Sequence, residues 1–373
     1  MVMSPGGKFE YMKARVINRV ILCLGTVDRR MRSMDHLSGE MITKTIAWTV
    51  VLLLLSVGLL AVCTPQWAGK SLDEVSVQLK WLHQAEFAGF YVAQEKGYYA
   101  EENIGPTLLP GGLGVDSLAR VINGKADFGV AAPEQILVRR SQGEPIVAIA
   151  TIYRYNPLVF IAMEDSGIKQ PSDFIGYTAA VGASDGELQF AAMMRKLGFD
   201  TSRVNIMPFD LHYAGFYGGV ADITYVYSTV DLISMREQGY MVNLIWPDDY
   251  GIHMYSDTLF TTEAMIAQNP DLVTRFLRAT LRGWNQAVED PETAAAITKK
   301  HAIAAYAEFQ NEMMKSSVPF IHTGEDHIGW MSAEAWEQMH GLLLEQGILA
   351  QPVDLQGVYT TEFLEKIYGG GRG

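Results

Sequence analysis

The chain has 373 residues, 49% hydrophobic and 19% charged, enough for one large or two medium globular units with full cores. Residues 1–62 hold eight Lys/Arg against four Asp/Glu, so of the formal charge of −13 the remainder, with 21 basic and 38 acidic residues, carries −17, a balance that argues against nucleic acid and anionic lipid as direct partners. Both cysteines, Cys23 and Cys63, lie in the N-terminal region, which excludes a disulfide, a thiolate nucleophile and a cysteine-built metal site from the rest.

Residues 1–40 lack apolar periodicity, and a translation start at Met34 or Met41 gives the segment that follows the proportions of an export signal. That segment, 46–62, is apolar apart from Thr49, Ser56 and Gly58, with Lys44 before it. Seventeen residues is short of the roughly 20 that span a bilayer. Leu60-Ala61-Val62-Cys63 resembles a bacterial lipobox, which implies a diacylated Cys63 as the mature N-terminus of a lipoprotein. Val62 departs from the Gly, Ala or Ser usual there. An uncleaved anchor helix is the alternative, and both readings hold the body at the extracytoplasmic face of the cell membrane. Residues 63–74 are then a linker.

From Val75 onward short apolar strands alternate with helical stretches, the pattern of an α/β protein. Val75, Val77 and Leu79 alternate as a first strand; 87–96 is a helix stopped by Gly97. A strand at 107–109 and a helix at 115–123 follow, then strands at 127–130 and 146–152 on either side of a helix opened by Pro133. A second unit begins after Pro171, with strands at 177–181, 203–207, 223–226 and 241–245 and a helix at 185–197. Beyond about Thr258 the pattern is helical: Pro270–Glu289, 291–305 and 332–346, the last capped by Ser332 with Glu334 in its first turn. The eight histidines show no metal-ligand spacing, and no cofactor motif is present.

The run Leu79-Lys80-Trp81-Leu82-His83-Gln84-Ala85-Glu86-Phe87-Ala88-Gly89-Phe90-Tyr91, continuing to Gly97-Tyr98-Tyr99, resembles the periplasmic binding-protein family of alkanesulfonate, thiamine-pyrimidine and riboflavin binders and the related fungal pyrimidine synthases. Asn123-Gly124-Lys125-Ala126-Asp127-Phe128-Gly129-Val130, Ser166-Gly167-Ile168 with Pro171-Ser172-Asp173-Phe174, and Asn269-Pro270-Asp271-Leu272-Val273 with Arg275-Phe276-Leu277 extend the likeness over roughly 75–300. The resemblance implies a type II periplasmic-binding-protein fold, two α/β lobes with a hinged ligand cleft. Lobe 1 would be 75–163 plus 256–373, and lobe 2 would be 164–255. It also implies an ABC importer component, with permease and ATPase subunits as partners and a small-molecule vitamin as ligand.

Candidate ligand residues are those the family or the chain pattern sets at the cleft. Trp81 follows the first strand, where the family has an aromatic; a core Trp is the alternative. Phe87 and Tyr91 flank the start of the next helix, with core packing equally open for Tyr91. Glu134 opens a helix after a strand, either as a ligand acceptor or for the helix dipole. Tyr153 lies near the first expected lobe crossing. Ser184 and Asp185 occupy a strand-to-helix turn, as polar contacts or as an N-cap. Tyr225, Tyr227, Thr229 and Asp231 follow a lobe 2 strand, the two tyrosines sharing one face at period two.

The cysteine-rich cluster and sacrificial histidine of the synthases have no counterpart in Gly251-Ile252-His253-Met254-Tyr255-Ser256 or Pro133-Glu134-Gln135-Ile136, so binding without turnover is expected. Arg154 is the one cation expected near the ligand, which disfavours a strong anion. Thiamine-pyrimidine binders carry an acidic residue directly after the strand at 223–227; here Asp231 is displaced. Riboflavin is the expected ligand and a thiamine-precursor pyrimidine the alternative.

Overall fold

The computed structural model describes residues 71–182, 185–302, 308–324 and 327–369. The segment expected to be an export signal, Cys63 and nearly all of the expected linker lie outside them. Among the described residues no helix is long and apolar enough to cross a membrane.

Two five-stranded mixed sheets form the cores of two lobes. In lobe 1, β1 (Asp73–Gln78), β2 (Ile104–Leu109), β3 (Phe128–Ala131), β4 (Ile146–Thr151) and β10 (Thr258–Thr262) pair in the order β2-β1-β3-β10-β4. In lobe 2, β5 (Leu158–Met163), β6 (Thr178–Gly182), β7 (Asn205–Pro208), β8 (Ile223–Tyr227) and β9 (Val242–Ile245) pair as β7-β6-β8-β5-β9. β10 and β5 run antiparallel to both of their neighbours. These are the strands that follow the two crossings between lobes, and the two-lobe α/β fold expected from the sequence is the one found.

The first crossing comes earlier than expected. β5 sits in the second sheet, so lobe 2 begins before Leu158 and not after 163. The run Leu158-Val159-Phe160-Ile161-Ala162-Met163 is apolar throughout and buried up to Ala162. With both faces covered it has no alternation to mark it as a strand. The crossings lie side by side: Ile152 N–H donates to Asp257 O at 2.9 Å, and Ser256 N–H donates to Tyr153 O at 2.9 Å.

The helices are α1 (Ala88–Glu95), α2 (Tyr98–Glu101), α3 (Ser117–Ile122), α4 (Pro133–Ser141), α5 (Asp185–Lys196), α6 (Ala214–Tyr217), α7 (Asp231–Glu237), α8 (Glu263–Gln268), α9 (Pro270–Glu289), α10 (Pro291–Thr298), α11 (Gln310–Ile321), α12 (Ala333–Glu345) and α13 (Glu362–Tyr368). α9 forms because Val273, Phe276, Leu277, Thr280, Leu281, Trp284 and Ala287 recur at helical spacing and bury one face. Each large side chain so removed from water contributes about 1.5–3 kcal/mol. α9 meets α1 backbone to backbone: a Cβ on Gly283 would lie 2.1 Å from Gly89 O, and one on Gly89 would lie 2.2 Å from the Trp284 ring. The C-terminal helices complete lobe 1, tied to β4 through bridges from Tyr359 to Ala148 and from Gly329 to Thr151.

Candidate functional site

The carboxyl ends of the parallel strands of both lobes open onto one cleft of about 850 Å³, the position where open α/β sheets bind ligands. From lobe 1, the turn after β1 brings Lys80, Trp81, Gln84 and Glu86, and the first turn of α4 brings Glu134. Pro133 starts that helix without a wasted amide and fixes where Glu134 stands. From lobe 2, β8 and the start of α7 bring Tyr225, Tyr227 and Asp231, and the segment after β7 adds Phe209 and Tyr213.

Five candidates therefore share the cleft: Trp81, Glu134, Tyr225, Tyr227 and Asp231. Three do not. Phe87 is fully buried in the lobe 1 core. Tyr91 is also fully buried, sharing a 2.8 Å hydrogen bond with His83 Nδ1 and stacking on His301 at 4.7 Å. Tyr153 donates to Ser317 Oγ at 3.0 Å and meets Trp284 edge-on. In each, the helix or crossing turns the ring toward the core, a choice that residue type and spacing leave open. Thr229 is buried beside the cleft and does not line it. Ser184 and the side chain of Asp185, the first residue of α5, fall outside the described residues.

Lys80 was not singled out by the sequence, and it holds the inner part of the site together. Its Nζ lies 2.5 Å from Asp257 Oδ1 and 3.0 Å from Glu86 Oε1, and it stands 5.1 Å from the Tyr227 ring centroid in the other lobe. Glu86 Oε2 accepts from Gln84 Nε2 at 2.7 Å. Burial opposes the ammonium, yet the Asp257 carboxylate, with the Tyr227 phenol and the Glu86 carboxylate, outweighs it and holds Lys80 well above the ordinary lysine value. Burial and then the Glu86 charge push the Asp257 carboxyl up to about 7, against the pull of Lys80.

The lobe 2 wall is aromatic and just as constrained. Phe209 stacks on Tyr225 at 4.4 Å and meets Tyr213 edge-on at 5.7 Å. Tyr213 has φ +56°, a left-handed conformation unusual for a bulky side chain. Asp210 over-determines that turn, accepting from His212 N at 3.0 Å and Ala214 N at 2.7 Å. The Tyr213 hydroxyl bonds the Asp231 carboxylate, whose Oδ2 also accepts from Tyr227 N–H at 3.1 Å. Burial holds the Asp231 carboxyl above its ordinary value despite those bonds.

The cleft's two permanent cations differ from the one expected, Arg154. Lys80 is paired with Glu86 and Asp257, and Arg139 with Asp116 and Glu144. Among the described residues no group of three His, Cys, Asp or Glu is arranged to hold a metal. Aromatic faces, carboxylate acceptors and neutralised cations suit a flat, uncharged ligand bearing N–H or O–H donors.

A family model described as NMT1/THI5 like matches residues 84–294. The riboflavin-binding protein RibY of Chloroflexus aurantiacus is 25% identical over 80% of this chain and 88% of its own. The formylaminopyrimidine-binding protein of Halalkalibacterium halodurans is 25% identical over 84% of this chain and 98% of its own. A 4-amino-5-hydroxymethyl-2-methylpyrimidine phosphate synthase of Legionella pneumophila is 23% identical over 78% and 92%. Among solved structures, the periplasmic aliphatic sulphonate binding protein SsuA of Escherichia coli superposes with a TM-score of 0.62 at 15% identity, covering 78% of this chain and 93% of its own, a likeness of fold.

Proposed function

The chain belongs to the NMT1/THI5-like family, and from that premise we propose that it is the solute-binding protein of an ABC importer and that its cleft holds riboflavin. One observation carries the ligand: Trp81 from one lobe and Phe209, Tyr213, Tyr225 and Tyr227 from the other line a cleft whose cations are already neutralised by carboxylates. A planar tricyclic ring gains stacking area there, and its N–H and the ribityl hydroxyls find acceptors in Glu86, Glu134 and Asp231. A sulfonate would need an unspent cation. The volume of about 850 Å³ lies in the upper part of the range for small-molecule sites, ample for three fused rings and a chain. Lobe closure over the ligand is then the signal read by permease and ATPase partners. Diacylation at Cys63 would keep the protein at the extracytoplasmic face of the membrane.

A thiamine-precursor pyrimidine is the second reading, favoured by Asp231, which the first turn of α7 returns to the cleft beside Tyr227 in spite of its displacement in sequence. A carboxylate there suits an aminopyrimidine edge. Turnover is not proposed, because the stretches matching the synthases' cysteine cluster and histidine carry neither. Calorimetric titration of the detergent-purified full chain with riboflavin and, separately, with formylaminopyrimidine decides between them. Saturable riboflavin binding supports the proposal, and heat from the pyrimidine alone would replace riboflavin with it.

A further inference from the structure

The cleft holds buried charge at its inner end and two exposed aliphatic side chains at its mouth. Its inner residues are charged and buried: Glu86 is 8% exposed, Glu134 is 7% exposed, and Lys80 is clamped to the buried Asp257. Its mouth is open and carries exposed apolar side chains beside Asp116, Gln135 and His212. Leu113, 76% exposed, is the most exposed large apolar side chain among the described residues, and Ile348, 45% exposed, lines the same mouth from beyond α12.

Leu113 is held there by its loop. A Cβ on Gly111 would lie 2.3 Å from the Lys80 carbonyl carbon and 2.4 Å from Leu79 O, so only glycine lets the loop seat against the strand end that bears Trp81. Gly111 N–H donates to Trp81 O at 2.9 Å, fixing the base. Gly112 and Gly114, at φ +130° and +77°, then turn the chain around Leu113. The result is an apolar tip on an anchored stalk that lines the same cleft as Trp81.

We propose that Leu113, with Ile348, is a specificity-determining subsite that covers the apolar end of the ligand, so the ligand enters polar end first. Resting on the riboflavin reading, this gives the ring its orientation: the dione edge and its N–H lie inward toward the buried carboxylates, and the dimethyl-substituted benzenoid edge lies at the mouth under Leu113. The opposite orientation would strand buried carboxylates against methyl groups and leave the exposed leucine uncovered, losing on both counts.

The test titrates the detergent-purified full chain and its Leu113→Ser variant with riboflavin and with 7,8-didemethylriboflavin, following flavin fluorescence. Leu113 is exposed at a loop tip, so the variant keeps the wild-type melting temperature. Removing the two methyl groups weakens wild-type binding about tenfold. Leu113→Ser weakens riboflavin several-fold and the demethylated analogue less than twofold. If both flavins bind wild type alike and the variant behaves as wild type, the orientation is overturned while the riboflavin reading stands. If wild type binds neither flavin, both are overturned.

Discussion

Lys80 keeps its charge inside the protein because two carboxylates surround it, and that surplus of negative charge has consequences. Removing the ammonium by Lys80→Met leaves Glu86 and Asp257 facing each other in a buried site, and should destabilise the fold by about 3–5 kcal/mol, read by urea unfolding. The Lys80→Met, Asp257→Asn double variant should recover part of the loss, since it removes one of the two uncompensated carboxylates. The triad also predicts a pH dependence. Asp257 is raised up to about 7 by burial and by Glu86, so the folded state holds its proton more tightly than the unfolded chain. Its contribution to stability is complete below the ordinary carboxylate range near 4 and is lost as pH rises through about 7, with a slope of at most about 1.4 kcal/mol per pH unit. Unfolding measured across that window should show the decline, and Asp257→Asn should flatten it. None of this was legible in the sequence, because Lys80 and Asp257 are 177 positions apart and only the crossing between lobes brings them together. The aromatic candidates were legible where backbone geometry fixes direction: period two on β8 carries Tyr225 and Tyr227 to the same cleft. Phe87, Tyr91 and Tyr153 have the same residue chemistry but turn inward.

At the scale of elements, close backbone approach sets what the helices can tolerate. A Cβ at Gly283 would collide with the backbone of α1, so Gly283→Val should cost about 1–3 kcal/mol, visible as a lowered melting temperature, while the fraction that folds retains normal affinity. Gly186, in the first turn of α5, tests the opposite case. A Cβ there would lie 2.3 Å from the Tyr225 ring, so Gly186→Ala pushes that ring off Phe209 and into the cleft. The expected result is a loss of ligand affinity of about tenfold with a smaller effect on stability, a split read by titration and thermal melting on the same sample. The helices with regular apolar spacing, α1, α5, α9 and α12, emerged from the sequence close to their observed bounds. The antiparallel strands β5 and β10 did not. β5 is apolar on both faces, and Thr258-Leu259-Phe260-Thr261-Thr262 is a short run opening a region dominated by helices, so neither offered a period to read.

At the scale of the whole molecule, the two crossings form a paired hinge in which Thr151 Oγ1 donates to Ser256 O at 3.1 Å, and Asp257 between them reaches Lys80 and through it the Tyr227 ring of the other lobe. The crossings and the inner end of the cleft are thus joined by one set of contacts, which is where the proposed lobe closure over a ligand would be felt. The two-lobe organisation was legible because the blocks of resemblance run in order along the chain, whereas the place of the first crossing depended on which sheet an all-apolar strand joins. The central claim is that this cleft takes a flavin, and the most direct measurement of it is a titration of riboflavin with the detergent-purified full chain, following the quenching of flavin emission. The account predicts saturable quenching at one site per chain, weakened at least tenfold by Tyr227→Ala. Emission that stays unchanged through an excess of wild-type protein would contradict it.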